Sequence, residues 1–257
     1  MIKFSYLCAL SGILLFTSPG CSKDDSYKAT YVTTNNTKAL LKVNYLSAYA
    51  TNPGVIISIN QVRMSGVITS PTPFPGGGYN VNGSNFPDYL ALVPGNVQMA
   101  FTVPNRGTGI DSIRLFSTEL QLQAGKNYTA HVTDTFVRTK VVLVEDDLTP
   151  AQPGTAKFKF LNLMPNVAAI DLYYGADLVM GNIPYLGVSP NFTVATPTAA
   201  LPWTIRESGS SPTTAALATY SSSNTTLSRR VYTAFAIGYK GATDAVRKPA
   251  ISFLINY

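Results

Sequence analysis

The sequence predicts an all-β protein built as two tandem β-sandwich domains, and three observations predict it. From Lys38 to Tyr257, short runs rich in Val, Ile, Thr, Tyr and Phe alternate with clusters of Gly, Pro and Asn. No stretch sustains the apolar period of a helix. One segment, EDDLTPAQPG (145–154), breaks the pattern with consecutive acids, prolines and a glycine, a composition that reads as a linker. It divides the chain into 38–144 and 155–257, each long enough to bury its own core.

The elements follow in order. ALLKVNYLS (39–47) and GVIISINQ (54–61) are strand candidates separated by Asn52-Pro53-Gly54. YLALV (89–93) and NVQMAFTV (96–103) flank Pro94-Gly95, and SIRLFSTELQL (112–122), NYTAHVTDTF (127–136) and TKVVLVE (139–145) complete the first domain. Past the linker come TAKFKFLNL (155–163), AAIDLYYG (168–175), NFTVAT (191–196), WTIRES (203–208), TTAALATY (213–220), RRVYTAFAIGY (229–239) and PAISFLINY (249–257). Strands of this length with frequent turns make sandwiches.

The halves resemble each other. Residues 38–64 parallel 155–180, 89–96 parallel 185–191, and 127–132 parallel 231–236, in the same order. Ordered recurrence argues for internal duplication. The first half carries an extra stretch, SGVITSPTPFPGGGYNVNGSNFPD (65–88), almost uncharged and rich in Gly, Pro and Asn. A long loop on a rigid sandwich is a natural place for a binding site. Phe74, Tyr79, Phe86 and Tyr89 around it, and Trp203 in the second half, are the candidate ligand-binding residues, since flat rings stack on sugar faces.

The amino terminus predicts an address. Met1-Ile2-Lys3 followed by the apolar run FSYLCALSGILLF (4–16) has the form of a signal peptide, 1–20, rather than a membrane span. Gly20-Cys21 then resembles the processing site of bacterial lipoproteins, with Cys21 as the lipidation site and 21–37 as a flexible tether, although Ser18 and Pro19 depart from the usual apolar pattern. Lys23-Asp24-Asp25 resembles the surface-export signal of Bacteroidota lipoproteins. Acyl chains add about 0.8 kcal/mol of membrane affinity per buried methylene, so a multiply acylated Cys21 is a stable membrane anchor. The expected location is the outer membrane, lipid-anchored and facing the cell exterior. Cys8 leaves with the signal and Cys21 is capped, so no disulfide is expected.

Within this frame, the alternating opening strand, the proline turn and AAIDLYYGADLV (168–179) resemble the domain of unknown function 4397 family, best over 156–180. LNLMPN (161–166) departs from that family's opening stretch. The resemblance implies a secreted or lipid-anchored protein, often duplicated, with immunoglobulin-like (Greek-key) sandwiches. It implies no activity and transfers no functional residue.

Chemistry-bearing motifs are absent. The formal charge of +6 is scattered, without an arginine stripe, so nucleic acid is not an expected partner. His131 is the only histidine; alternation puts it with Thr129 and Thr133 on an outward face. There is no zinc-type His/Cys cluster, nucleophile elbow or phosphate loop. Glu145-Asp146-Asp147 reads as solvated linker rather than a calcium site. Asp171 reads as pointing away from the core. Asp111-Ser112-Ile113 and Asp134-Thr135-Phe136 resemble O-glycosylation acceptors. The expectation is therefore a non-enzymatic binding module for glycan or another extracellular ligand, with no metal or cofactor. The alternatives are a structural or adhesive subunit of a surface assembly and, third, a hydrolase with an unmarked carboxylate pair.

Overall fold

Period-two patterning becomes strand wherever one face of the chain can be buried. A computed structural model describes residues 36–76, 84–105, 112–211 and 213–257, and shows this throughout. The first half contributes β1 (Ala39–Tyr45), β2 (Ile56–Ile59), β3 (Val62–Arg63), β4 (Thr72–Phe74), β5 (Ser84–Asn85), β6 (Leu90–Leu92), β7 (Gly95–Pro104), β8 (Ser112–Leu122), β9 (Asn127–Thr133) and β10 (Lys140–Glu145). The second contributes β11 (Thr155–Asn162), β12 (Ala169–Tyr174), β13 (Asp177–Pro184), β14 (Phe192–Ala195), β15 (Trp203–Glu207), β16 (Ala218–Tyr220), β17 (Val231–Ile237) and β18 (Ala250–Ile255). The all-β sandwich class expected from the sequence is the class observed. The signal peptide and residues 21–35 of the tether, with Cys21, Lys23, Asp24 and Asp25, lie outside the described residues, as do Tyr79 and Asp111.

Each half has an inner and an outer sheet. The outer sheets run β3-β2-β7-β8 and β13-β12-β15-β16. The inner sheets run β10-β9-β1, with β4 and β6 both on β1, and β18-β17-β11-β14. Each inner sheet contains a parallel pair between strands of its own half, with Leu41 opposite Tyr128 in β1/β9 and Phe158 opposite Tyr232 in β11/β17. These positions are separated by 117 and 104 residues, the same offsets as in the sequence repeat.

One repeat pairing differs. Leu90 stands opposite Leu41, but the residue opposite Phe158 is Phe192. Val188 bridges Leu161, in the place where Pro73 meets Asn44. YLGV (185–188) therefore occupies the position of β4 rather than β6. β sequences draw on few residue types, so a Tyr-Leu pair recurs without topological meaning. The extra residues of the first half lie between β4 and β6. Part of that stretch, β5, leaves its own half and pairs in parallel with β18, Ser84 beside Phe253 and Asn85 beside Leu254.

Three apolar clusters hold the unit together. Leu41, Val43, Tyr45, Ile57, Met99, Phe101 and Val132 fill the first sandwich. Phe158, Phe160, Leu172, Trp203, Tyr232 and Phe253 fill the second. A third cluster of Leu46, Val144, Leu161, Phe235, Ile237 and Leu254 joins the outward faces of the two inner sheets. At about 25 cal/mol per Å² of apolar area, each aliphatic side chain buried there contributes roughly 1.5–3 kcal/mol.

This seam corrects the reading of His131. It does lie on the face away from its own core, with Thr129 and Thr133, but it is 0% exposed. Phe235 of the second half covers it with ring centroids 5.6 Å apart. Asp171 is also enclosed, at 8% exposure. The register of β12 and β13 shifts around Leu172, and the Asp171 carboxylate accepts from Asn182 N (2.7 Å) in β13 and from Gly209 N (3.2 Å) in the turn after β15. The acidic run 145–147 does not form one solvated patch. Glu145 pairs with Lys126 at 2.6 Å, Asp147 with Lys157 at 2.8 Å, and Asp146 is buried.

Candidate functional site

The parallel pairs set a direction. Ala39 and Asn127 lie at one end of the first inner sheet, and Tyr45 and Thr133 at the other, about 20 Å away at 3.3 Å per residue. The second half joins that far end: Thr133 Oγ1 donates to Leu163 O (2.7 Å), and Tyr239 OH donates to Asp134 Oδ1 (3.1 Å). The loops beyond the strand ends therefore form one surface built from both halves.

At its centre is the β9–β10 turn. Asp134 and Phe136 both have positive φ, 60° and 53°. Such angles are uncommon outside glycine and cost about 1–3 kcal/mol each, so surrounding bonds must hold them. Asp134 Oδ1 accepts from Thr135 N (2.8 Å) and lies 3.7 Å from Arg138 Nε. Phe136 N donates to Tyr49 OH (3.0 Å), and the two rings meet edge-on at 4.8 Å. Thr139 closes the turn through N and Oγ1, both donating to Phe136 O. The result is an apolar tip on a fixed backbone, with Phe136 66% and Val137 98% exposed.

Polar groups surround the tip. Tyr185 and Tyr239 are half-buried, and burial raises both phenols above the ordinary range, with Asp134 adding to the rise. Both stay protonated, the Tyr239 hydroxyl donating to Asp134 and the Tyr185 hydroxyl enclosed beneath the tip. Arg138 is exposed beside Asp134. Thr135 is only 7% exposed, so the acceptor-like Asp134-Thr135-Phe136 turns its hydroxyl residue inward.

The aromatic residues singled out in the sequence are not brought together. Trp203 is 0% exposed in the second core, against Phe158 (4.9 Å) and Tyr174 (4.5 Å), with Nε1 donating to Thr225 Oγ1 (3.0 Å). It offers no stacking face. Its strand alternates Trp203 and Ile205 inward, and a residue of that size at such a position is core. Phe74 is half-buried against the first core. Tyr89 packs over Lys42, with Nζ 4.5 Å from its ring centroid. Phe86 alone among the described members is a free ring, 64% exposed.

Two features escaped the sequence reading. One is the Phe136 tip, whose signal was an aromatic within an Asp-Thr-Phe-Val turn. The other is a polar cluster in the seam at the opposite end. Lys42 is 1% exposed, and its Nζ donates to Asn256 Oδ1 (2.7 Å) and lies 3.8 Å from Asp146 Oδ2. Tyr89 OH (2.8 Å) and Thr129 Oγ1 (2.6 Å) donate to the same Asp146 oxygen. Asn256 Nδ2 donates to Thr233 Oγ1 (2.8 Å). Among the described residues, no group of three or more His, Cys, Asp or Glu is placed to hold a metal ion.

A family model described as "Domain of unknown function (DUF4397)" matches residues 42–173, just over half of the chain, from β1 into β12. No curated protein matches the chain.

Proposed function

The chain belongs to the DUF4397 family, and from that premise we propose a non-enzymatic binding module, lipid-anchored through Cys21 on the outer face of the outer membrane, that takes glycan or another extracellular ligand at the Phe136 tip. The observation that carries this reading is the tip itself. A strained turn that presents Phe136 and Val137 to solvent costs stability, and such strain concentrates where ligands are clamped. An exposed ring beside the exposed Arg138 guanidinium suits a sugar, whose apolar face stacks and whose hydroxyls take hydrogen bonds. The tip also lies at the end of the sheet opposite Ala39, where the chain enters from the proposed anchor.

A glycan-array screen of the full chain beside Phe136→Ala tests the site. The wild type is expected to bind at least one glycan, and the variant to bind it at least tenfold more weakly, a loss of about 1.4 kcal/mol, with an unchanged melting temperature. Binding by neither protein, or equal binding by both, would sink the proposal. The anchor has a separate test. Cys21→Ser is expected to abolish fatty-acid labelling and release the protein from the membrane fraction; retention of label would rule Cys21 out.

A further inference from the structure

We propose that Lys42 Nζ and Asn256 Cγ join in an intramolecular amide bond, formed with loss of ammonia and assisted by Asp146. The inference is independent of what the Phe136 tip binds.

Position comes first. The hydrogen bond from Nζ to Asn256 Oδ1 at 2.7 Å brings the amine close to the carbonyl carbon of the same carboxamide. Held geometry of this kind supplies effective molarities far above any free amine, about 10⁵ M or more for well-oriented partners. Neither side chain is free to leave. Asn256 is fixed by Nδ2 on Thr233 Oγ1 and by its backbone N on Val231 O (2.8 Å). Lys42 is enclosed under the Tyr89 ring.

Protonation comes second. An amine attacks only through its free lone pair. Burial pushes Lys42 below the ordinary lysine range, against the opposing pull of Asp146. Nζ attacks in its neutral form, and Asp146, 3.8 Å away, is the carboxylate placed to take up its proton. Asp146 is itself oriented by Tyr89 and Thr129, and its Oδ1 is buried without a hydrogen-bond partner among the described residues.

The step balances without a co-reactant. The Nζ–Cγ bond forms, a proton passes from Nζ through Asp146 to Nδ2, the Cγ–Nδ2 bond breaks, and ammonia departs. A small cavity lined by Asp146, Asp147, Thr233 and Asn256 adjoins the group. Exclusion of bulk water keeps hydrolysis of the carboxamide from competing.

The placement also explains why so costly a group is kept. A buried Lys–Asp pair is weak evidence for stability, because desolvation offsets its attraction. A covalent bond between the first strand of one half and the penultimate residue of the other closes the seam permanently. The only cysteines are Cys8 and Cys21, so residues 36–257 contain none with which to form a disulfide.

The test is a tryptic digest of the purified full chain, denatured and read by mass spectrometry. The expected product is one species in which 39–63, uncut after Lys42, is joined to 248–257, lighter than the two peptides by one ammonia. Lys42→Met, Asn256→Ala and Asp146→Ala are each expected to lack it. Cleavage after Lys42 together with a free 248–257 peptide in the folded wild type would overturn the proposal. So would a linked species that persists at wild-type yield in Asp146→Ala, as far as the role of Asp146 is concerned. The wild-type digest decides the bond by itself, whether or not a variant folds.

Discussion

Trp203→Ala is expected to destabilise the chain by about 3–5 kcal/mol, the range for emptying a fully buried aromatic site. Trp203 has no exposed surface and touches Phe158, Tyr174 and Phe253, whose rings lie 4.5–5.6 Å away. These neighbours come from β11, β12 and β18, in both sheets of the second sandwich, so no single strand can move in to fill the hole. The buried Thr225 hydroxyl also loses the donor it now accepts from. Trp203→Phe is expected to cost less, about 1–2 kcal/mol, because a ring remains while the indole N–H is lost. Urea unfolding followed by circular dichroism reads both; Trp203 is the only tryptophan, so its fluorescence cannot be used across the series. A loss under 1 kcal/mol for the alanine variant would show that the site collapses, and would reopen Trp203 as a surface residue.

Mild acid is expected to weaken the fold through His131. Burial, and then Lys42 and Lys159, push its imidazole from 6.5 down to about 3. Its Nδ1 faces Asn44 Nδ2 at 3.1 Å, and Nε2 has no hydrogen-bond partner among the described residues. The folded state therefore holds the ring neutral, whereas the unfolded chain binds a proton below pH 6.5. A base with a depressed folded value adds no penalty above its unfolded value, and stability falls as pH drops from 6.5 toward 3. The slope is about 1.4 kcal/mol per pH unit for one proton, so roughly 2 kcal/mol should be lost between pH 7 and 5. His131→Gln is expected to remove that slope. Urea midpoints at several pH values measure it; equal slopes in the two proteins would mean that His131 titrates freely, and that the seam opens in the native state.

Several features were legible in the chain itself. The parallel between 38–64 and 155–180, and between 127–132 and 231–236, matches strands that hold the same positions in their sheets. The link between 89–96 and 185–191 did not carry over, because so short a match on short strands holds too little information to set register. The aromatics of the inserted stretch were visible, but not where they would go. Tyr89 turns onto Asp146, and β5 crosses to β18, because unpaired edge strands take whatever partner lies near.

Alternation by itself determined which face each residue takes. Leu41, Val43 and Tyr45 go inward, and Lys42 and Asn44 go outward; Tyr128, Ala130 and Val132 go inward, and Thr129 and His131 outward. Only the tertiary structure decided that outward is not solvent. The two polar faces close on each other around Phe235 and Leu254, and this turns an exposed lysine into an enclosed one and a surface histidine into a ring that resists protonation. The period of a strand is a local property of φ and ψ, whereas burial of its second face depends on another strand a hundred residues away.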